Sequence, residues 1–253
     1  VMMANNEIGT IEPISEIGNL IQKYRQKNNS AFPVFHTDAC QAAGAEEMGV
    51  NKLHVDMLSF NGSKIYGPKG AGVLFKKRGL KLTPIMFGGS QEKSLRPGTH
   101  NVAAIIGLSK AFEIAQEGRE KENERLVSLR DKLICGILET IPKTRLNGHA
   151  TKRLPNNVNV SVMDIEGEAL LLYLDAKGIY AATGSACTSA SLDPSHVILA
   201  LGMPYEVAHG SIRFTLGHST TEKDIDEVLA IMPDVVKKLR SISPVRVSEK
   251  YYK

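Results

Sequence analysis

Residues 54–75 read HVDMLSFNGSKIYGPKGAGVLF. The first seven form an apolar strand candidate. A turn of small and polar residues follows, and Gly72-Val73-Leu74-Phe75 forms a second strand candidate, set off by Gly67-Pro68-Lys69-Gly70. Upstream, Pro33-Val34-Phe35-His36-Thr37-Asp38 reads as a short buried strand, and residues 14–23 carry Ile14, Ile17, Leu20 and Ile21 at helical spacing. Strands that alternate with helical stretches specify an α/β layered sheet.

Downstream, residues 102–141 carry a helical pattern in which Leu126, Leu129, Leu133, Ile137 and Leu138 form one stripe. Gly118 is expected to divide this run into two helices, and a long helical pass of this kind suggests a domain boundary near residue 120. The remainder reads α+β. Val158, Val160 and Val162 alternate with Asn and Ser, the pattern of a half-buried strand. Helices are expected over 170–176 and 194–201, and strands over 179–182 and 211–216. Thr221 and Asp224 form a capping box that opens a helix running to about Leu239, with a kink expected at Pro233.

The chain has 253 residues, of which 42% are hydrophobic and 23% charged, a profile that fits a globular protein and argues against a disordered one. No apolar run reaches the roughly 18–20 residues that span a bilayer. No membrane partner is expected on that ground; the net charge is +4, but the basic residues are scattered and not interleaved with aromatics, which argues against a nucleic acid partner. Three cysteines, an odd and sparse set, point to a reducing, cytoplasmic compartment. The chain opens Val1-Met2-Met3-Ala4-Asn5-Asn6, in what reads as the end of a strand. The expectation is therefore a C-terminal portion of a longer protein.

Five elements can carry chemistry. Lys64 follows an apolar strand within small and polar residues. A lysine of lowered pKa is a nucleophile toward carbonyls and forms Schiff bases, although a lone loop lysine is more often simply solvated. Asp38 ends a buried strand, where α/β sheets bind ligands; it could keep a pyridinium nitrogen protonated or serve as a helix N-cap. Thr183-Gly184-Ser185-Ala186-Cys187-Thr188-Ser189 surrounds one thiol with small polar residues, a setting for an accessible reactive cysteine. Cys135, on the Leu133/Ile137 helix, is expected in the core, and Cys40 is expected to be structural. Arg213 on a strand could clamp a carboxylate bidentately or face solvent. Gly88-Gly89-Ser90 and Arg96-Pro97-Gly98-Thr99 could serve a phosphate or build a turn.

The order of these motifs carries more than any one of them. Asn-Asn-Glu-Ile-Gly (5–9), His-Thr-Asp-Ala-x-Gln (36–41), Lys-Ile-Tyr-Gly-Pro-Lys-Gly (64–70), Arg-Pro-Gly-Thr (96–99), Gly-Ser-Ala-Cys-Thr-Ser (184–189) and Ser-Ile-Arg-Phe (211–214) follow one another over nearly the whole chain. In this the chain resembles the cysteine desulfurases of the NifS/IscS group, class V aminotransferase-related enzymes of fold type I that use pyridoxal phosphate. The resemblance implies an α/β fold with an incomplete large domain of mostly parallel sheet (1–120) and a smaller α+β C-terminal domain carrying the cysteine loop (121–253).

The resemblance also implies residue roles. Lys64 holds pyridoxal phosphate covalently and moves the Cα proton, Asp38 pairs with the pyridinium nitrogen, and Asn6 and Gln41 contact the pyridoxal 3-oxygen. Asn61 and Ser63 help to bind the phosphate, and Thr99 reaches the phosphate of a partner subunit in a homodimer. Arg213, with Asn6, binds the substrate carboxylate. Cys187 attacks the sulfur of L-cysteine, takes it as a persulfide while alanine is released, and passes it to an acceptor such as an iron–sulfur scaffold or a thiolation protein. No resident metal is implied, although Cys187 could transiently ligate an iron–sulfur cluster. The longer Ser-Ala-Cys-Thr-Ser form resembles the long-loop branch of the group.

Two departures stand out. The group usually has His before the lysine and Ser three before it, where this chain has Ser63 and Asn61; both can still donate to a phosphate. Family chains also carry roughly one further domain's worth of residues upstream of Val1, including a histidine stacked on the cofactor. These residues alone are thus expected to be inactive or to need a complementing fragment. Selenocysteine lyase, which shares the fold and cofactor, and an inactive subunit that only binds a partner are the alternatives.

Overall fold

The computed structural model describes residues 1–184 and 193–252. The chain divides into two units: Val1–Ala4 with Glu12–Glu120, and Asn5–Ile11 with Lys121–Lys253. The helix α3 crosses from the first to the second.

The first unit runs α1 (Ile14–Lys27), β1 (His36–Asp38), α2 (Val50–Leu53), β2 (Met57–Asn61), β3 (Gly72–Lys76) and the opening part of α3 (Val102–Thr140). β1 and β2 are parallel, with Asp38 opposite Ser59; β2 and β3 are antiparallel, with Asn61 opposite Gly72. Met2 makes a parallel bridge to Asp38, so the opening residues lie beside β1 in the manner of a strand end. Both strands start later than the apolar pattern suggested. The reason is the buried Asp56: its Oδ2 accepts from the Phe35 N–H at 2.8 Å, and its own N–H reaches the Phe35 carbonyl at 2.9 Å, so this pair closes on a side chain rather than on a ladder. Leu58 and Phe60 of β2 bury the face that carries the core, and Phe60 meets Phe112 of α3 with ring centroids 4.8 Å apart.

α3 is one helix of 39 residues, which corrects the division expected at Gly118. A Cβ built on Gly118 would meet nothing within 4 Å, so the glycine costs the helix conformational entropy without breaking it. Gly118→Ala should therefore raise unfolding stability by about 0.5–1 kcal/mol, read as a higher denaturant midpoint at unchanged slope. A lower midpoint would show that the glycine is needed where it stands.

The second unit continues with β4 (Thr144–Leu146), β5 (Asn157–Val162), α4 (Gly167–Asp175), α5 (His196–Ala200), α6 (Tyr205–His209), β6 (Ser211–Thr215) and α7 (Glu222–Ile242). Its sheet is antiparallel in the order β4-β5-β6, with Asn159 opposite Arg213. Val158, Val160 and Val162 are fully buried against Leu133 and Ile137 of α3 and Ile225 and Met232 of α7. The capping box at Thr221 is present: its N–H donates to Asp224 Oδ2 at 2.7 Å, and its hydroxyl accepts from the Asp224 N–H. α7 then runs through Pro233 to Ile242, past the expected end.

Three other expectations need correction. β5 is buried along its whole length, not on one face only. Residues 179–182 form no strand beyond a single bridge from Ala182 to Arg213. Cys135 is exposed rather than core: Leu133 and Ile137 set the inward face of α3, and a residue two positions from Leu133 lies about 200° round the helix. Among the described residues, no helix is long and apolar enough to cross a membrane.

Candidate functional site

In the first unit the parallel strands β1 and β2 end side by side, and the residues of interest lie just beyond those ends. This is the edge at which open α/β sheets bind ligands. Asp38 closes β1, Cys40 and Gln41 follow it half-buried, and Asn61 closes β2. The chain then turns through the 3-10 segment Gly62–Ile65, which carries Ser63 and Lys64 outward while Gly62 and Ile65 point inward.

Close backbone packing fixes this turn. The Gly62 carbonyl accepts from the N–H of Tyr66 and, at 2.9 Å, from that of Gly67; the Gly62 N–H reaches the Ala71 carbonyl at 3.1 Å. α3 lies directly behind: a Cβ on Gly62 would stand 3.0 Å from the Pro68 carbonyl oxygen, and one on Gly107 would stand 2.6 Å from the Pro68 ring. Only glycine permits that approach. Lys64 is thus a flexible amine on a rigid base, exposed and without a hydrogen bond or ion pair to any described residue.

A short hydrogen-bond chain joins the two strand ends. Asp38 Oδ1 accepts from the Cys40 N–H at 2.9 Å. Asn61 donates its side-chain amide to Cys40 Sγ at 3.6 Å, and its Oδ1 accepts from the Ser63 hydroxyl at 2.8 Å. Burial, a hydrogen bond from the thiol to Asp38 and the Asp38 charge push the Cys40 thiol up to about 11, against the opposing pull of Lys64 and Asn61. Behind the acid, His36 Nε2 lies 3.0 Å from the Ser59 hydroxyl. Thr99 is exposed, and no described hydrogen bond ties it to Asp38 or Lys64.

In the second unit the segment Asn5–Ile11 forms a tight turn held from several sides. Asn5 Oδ1 accepts from the N–H groups of Glu7 at 2.8 Å and Ile8 at 3.0 Å. The Glu7 carbonyl accepts from the side-chain amides of Asn157 at 3.0 Å and Asn159 at 3.1 Å. These asparagines form the second face of β5, which the sequence pattern assigned to solvent. Arg153, only 3% exposed, aims its guanidinium at carbonyls, including those of Ile8 at 3.1 Å and Asn147 at 3.2 Å. Burial and the nearby Arg130 charge push Arg153 down to about 10.

Arg213 completes this group. Its backbone pairs with Ala182 on one side and with Asn159 on the other, and its Nη1 donates to the Asn6 carbonyl at 2.8 Å. Asn6 and Arg213 are therefore brought together. The Glu7 side chain is 1% exposed and accepts a short hydrogen bond from the Ser195 hydroxyl, which also caps α5 by accepting from the N–H groups of Val197 and Ile198. Sequence reasoning missed Glu7, Ser195, Asn157, Asn159 and Arg153. The Asn-Asn-Glu run and the Asn positions of β5 were the available signals. Cys187 lies outside the described residues.

The chain matches the aminotransferase class-V family model over residues 1–228, and it belongs to that family. Its fold is the α/β fold-type I architecture of NifS-like enzymes: a solved structure titled NifS-like protein aligns with a TM-score of 0.82 and 33% identity, over 94% of this chain and 60% of that one. A curated relative, cysteine desulfurase IscS of Methanosarcina thermophila, is 53% identical over 98% of this chain and 60% of its own length. Cysteine desulfurase IscS of Clostridium botulinum is 52% identical over 97% of this chain and 60% of its own length. The chain thus spans about 60% of the curated relatives it matches.

The donor set at the ends of β1 and β2 fits pyridoxal phosphate in its chemistry. It offers one carboxylate at Asp38, amides at Gln41 and Asn61, a hydroxyl at Ser63 and an accessible primary amine at Lys64.

Proposed function

We propose that the protein to which this chain belongs is a pyridoxal-phosphate-dependent cysteine desulfurase: L-cysteine and the thiol of Cys187 become L-alanine and a persulfide on Cys187. The observation that carries the proposal is the joint placement of Asp38 and Lys64 at the carboxyl edge of parallel strands β1 and β2. In this proposal residues 1–120 are part of the cofactor-binding large domain and residues 121–253 are the small domain with the cysteine loop.

When bound, pyridoxal phosphate supplies an electron sink for the bonds at substrate Cα. The residues supply the rest. Lys64 Nζ anchors the cofactor and moves the Cα proton, which requires a flexible amine on a fixed base. Asp38 holds negative charge at the pyridinium nitrogen. Asn6 and Gln41 contact the 3-oxygen, and Asn61 and Ser63 donate to the phosphate. Thr99, exposed in this chain, reaches the phosphate of a second subunit. Arg213 receives the substrate carboxylate, oriented by the Asn6 carbonyl on its Nη1. The Cys187 thiolate attacks substrate Sγ, and the C–S bond breaks toward alanine.

The persulfide then passes to an acceptor protein of the iron–sulfur scaffold or thiolation kind, in the cytoplasm. The test is direct. Full-length protein supplied with pyridoxal phosphate, L-cysteine and a thiol reductant should form alanine and sulfide in equal amounts. Pyruvate in place of alanine would mean elimination rather than desulfuration, and no turnover of cysteine would overturn the proposal.

A further inference from the structure

The stretch that the resemblance leaves unexplained is the pair Asn61 and Ser63, which stand where the group usually has Ser and His. The structure shows what they do here. Ser63 donates to Asn61 Oδ1 at 2.8 Å, and the Asn61 amide donates to Cys40 Sγ at 3.6 Å. The Cys40 N–H donates to Asp38 Oδ1 at 2.9 Å, and burial together with the Asp38 carboxylate pushes the Cys40 thiol up to about 11. The turn that carries Lys64 and the strand end that carries Asp38 are thus tied through one cysteine.

We infer that Cys40 and Asn61 are positioning residues: the Cys40 N–H fixes the Asp38 carboxylate, and Asn61 links the Cys40 sulfur to the turn bearing Lys64. The inference rests on the proposed function, because positioning is meant toward a cofactor between Asp38 and Lys64. A sulfur-transfer enzyme with a second thiol beside its cofactor aldehyde must also keep that thiol from reacting. The thiolate is the nucleophile, and a protonated thiol is not. The charged groups that face Sγ are Asp38, which favours the thiol, and Lys64, which favours the thiolate; burial adds to the first. Asp38 wins, so Cys40 is chemically silent where Cys187 is reactive.

The test begins with the cofactor-free, full-length protein. Alkylation of the Cys40 peptide by iodoacetamide is followed by mass spectrometry at about pH 9, just above the ordinary thiol range. Asp38→Asn removes the charge and should speed Cys40 alkylation about tenfold, the equivalent of one pH unit on the thiol. A second arm reads cofactor binding by absorbance. Cys40→Ala should loosen pyridoxal phosphate about fivefold, the value of one hydrogen bond, while Cys40→Ser restores the acceptor for the Asn61 amide and the affinity. Equal alkylation rates in wild type and Asp38→Asn, or equal affinities in the Ala and Ser variants, would overturn the inference, since a cysteine that merely packs predicts both. If wild-type protein binds no pyridoxal phosphate, the functional proposal falls while the alkylation arm still decides whether Asp38 holds the thiol.

Discussion

Replacing Lys64 with alanine should lower alanine formation from L-cysteine by ~10³-fold or more, the largest loss expected of any single substitution in this chain. The residue has two tasks that no neighbour can share. In the proposed function it anchors the cofactor, and it moves a proton at substrate Cα. Among the described residues it makes no hydrogen bond or ion pair that would assign it a structural role, and it stands on a turn whose packing depends on Gly62 and Gly107 rather than on its own side chain. Lys64→Ala should therefore fold normally while losing activity. Lys64→Arg sharpens the result: a guanidinium keeps the charge but stays protonated, so it can neither condense with an aldehyde nor carry the proton. Equal losses in the two variants support the assigned roles. Substantial activity in the arginine variant would reduce Lys64 to an electrostatic contact.

Cys187→Ser is expected to abolish sulfur transfer to a comparable degree, because a hydroxyl at neutral pH has none of the nucleophilicity of a thiolate toward sulfur. Cysteine should still bind, since Arg213 and Asn6 are untouched. Cys135→Ser is the matched control: Cys135 is exposed on α3 and is assigned no role in the chemistry, and its loss should leave turnover unchanged. Full sulfide release by Cys187→Ser would show that the nucleophile is elsewhere.

The strand ends that carry the candidate site were legible because punctuation marks them. Asp38 and Asn61-Gly62 stop two apolar runs, and the structure ends β1 and β2 there. The capping box at Thr221 was legible for the same reason, since a side chain and a backbone amide three residues apart must meet. What failed were inferences from one residue type about its surroundings. Gly118 reads as a breaker, yet an exposed helical glycine with open space around it only weakens the helix locally.

The alternation of Asn with Val in β5 reads as a wet face. In the folded chain those asparagines are buried because a distant segment, the turn around Glu7, brings carbonyls for them to bond. Periodicity along one strand carries no information about what lies across from it. α6 went unread because five residues after Pro204 are too short for a period to show. Buried Glu7 was missed for the complementary reason: its partner Ser195 lies 188 positions away.

The central claim is that this chain carries the sulfur-accepting thiol of a desulfurase. The measurement that tests it most directly is a single turnover of full-length protein with pyridoxal phosphate and L-cysteine, without reductant, in which alanine is quantified and the added sulfur is mapped by peptide mass spectrometry. The account predicts one added sulfur per alanine, on the peptide containing Cys187 and not on those containing Cys40 or Cys135. Alanine without a sulfur on Cys187, or the sulfur on another cysteine, would contradict it.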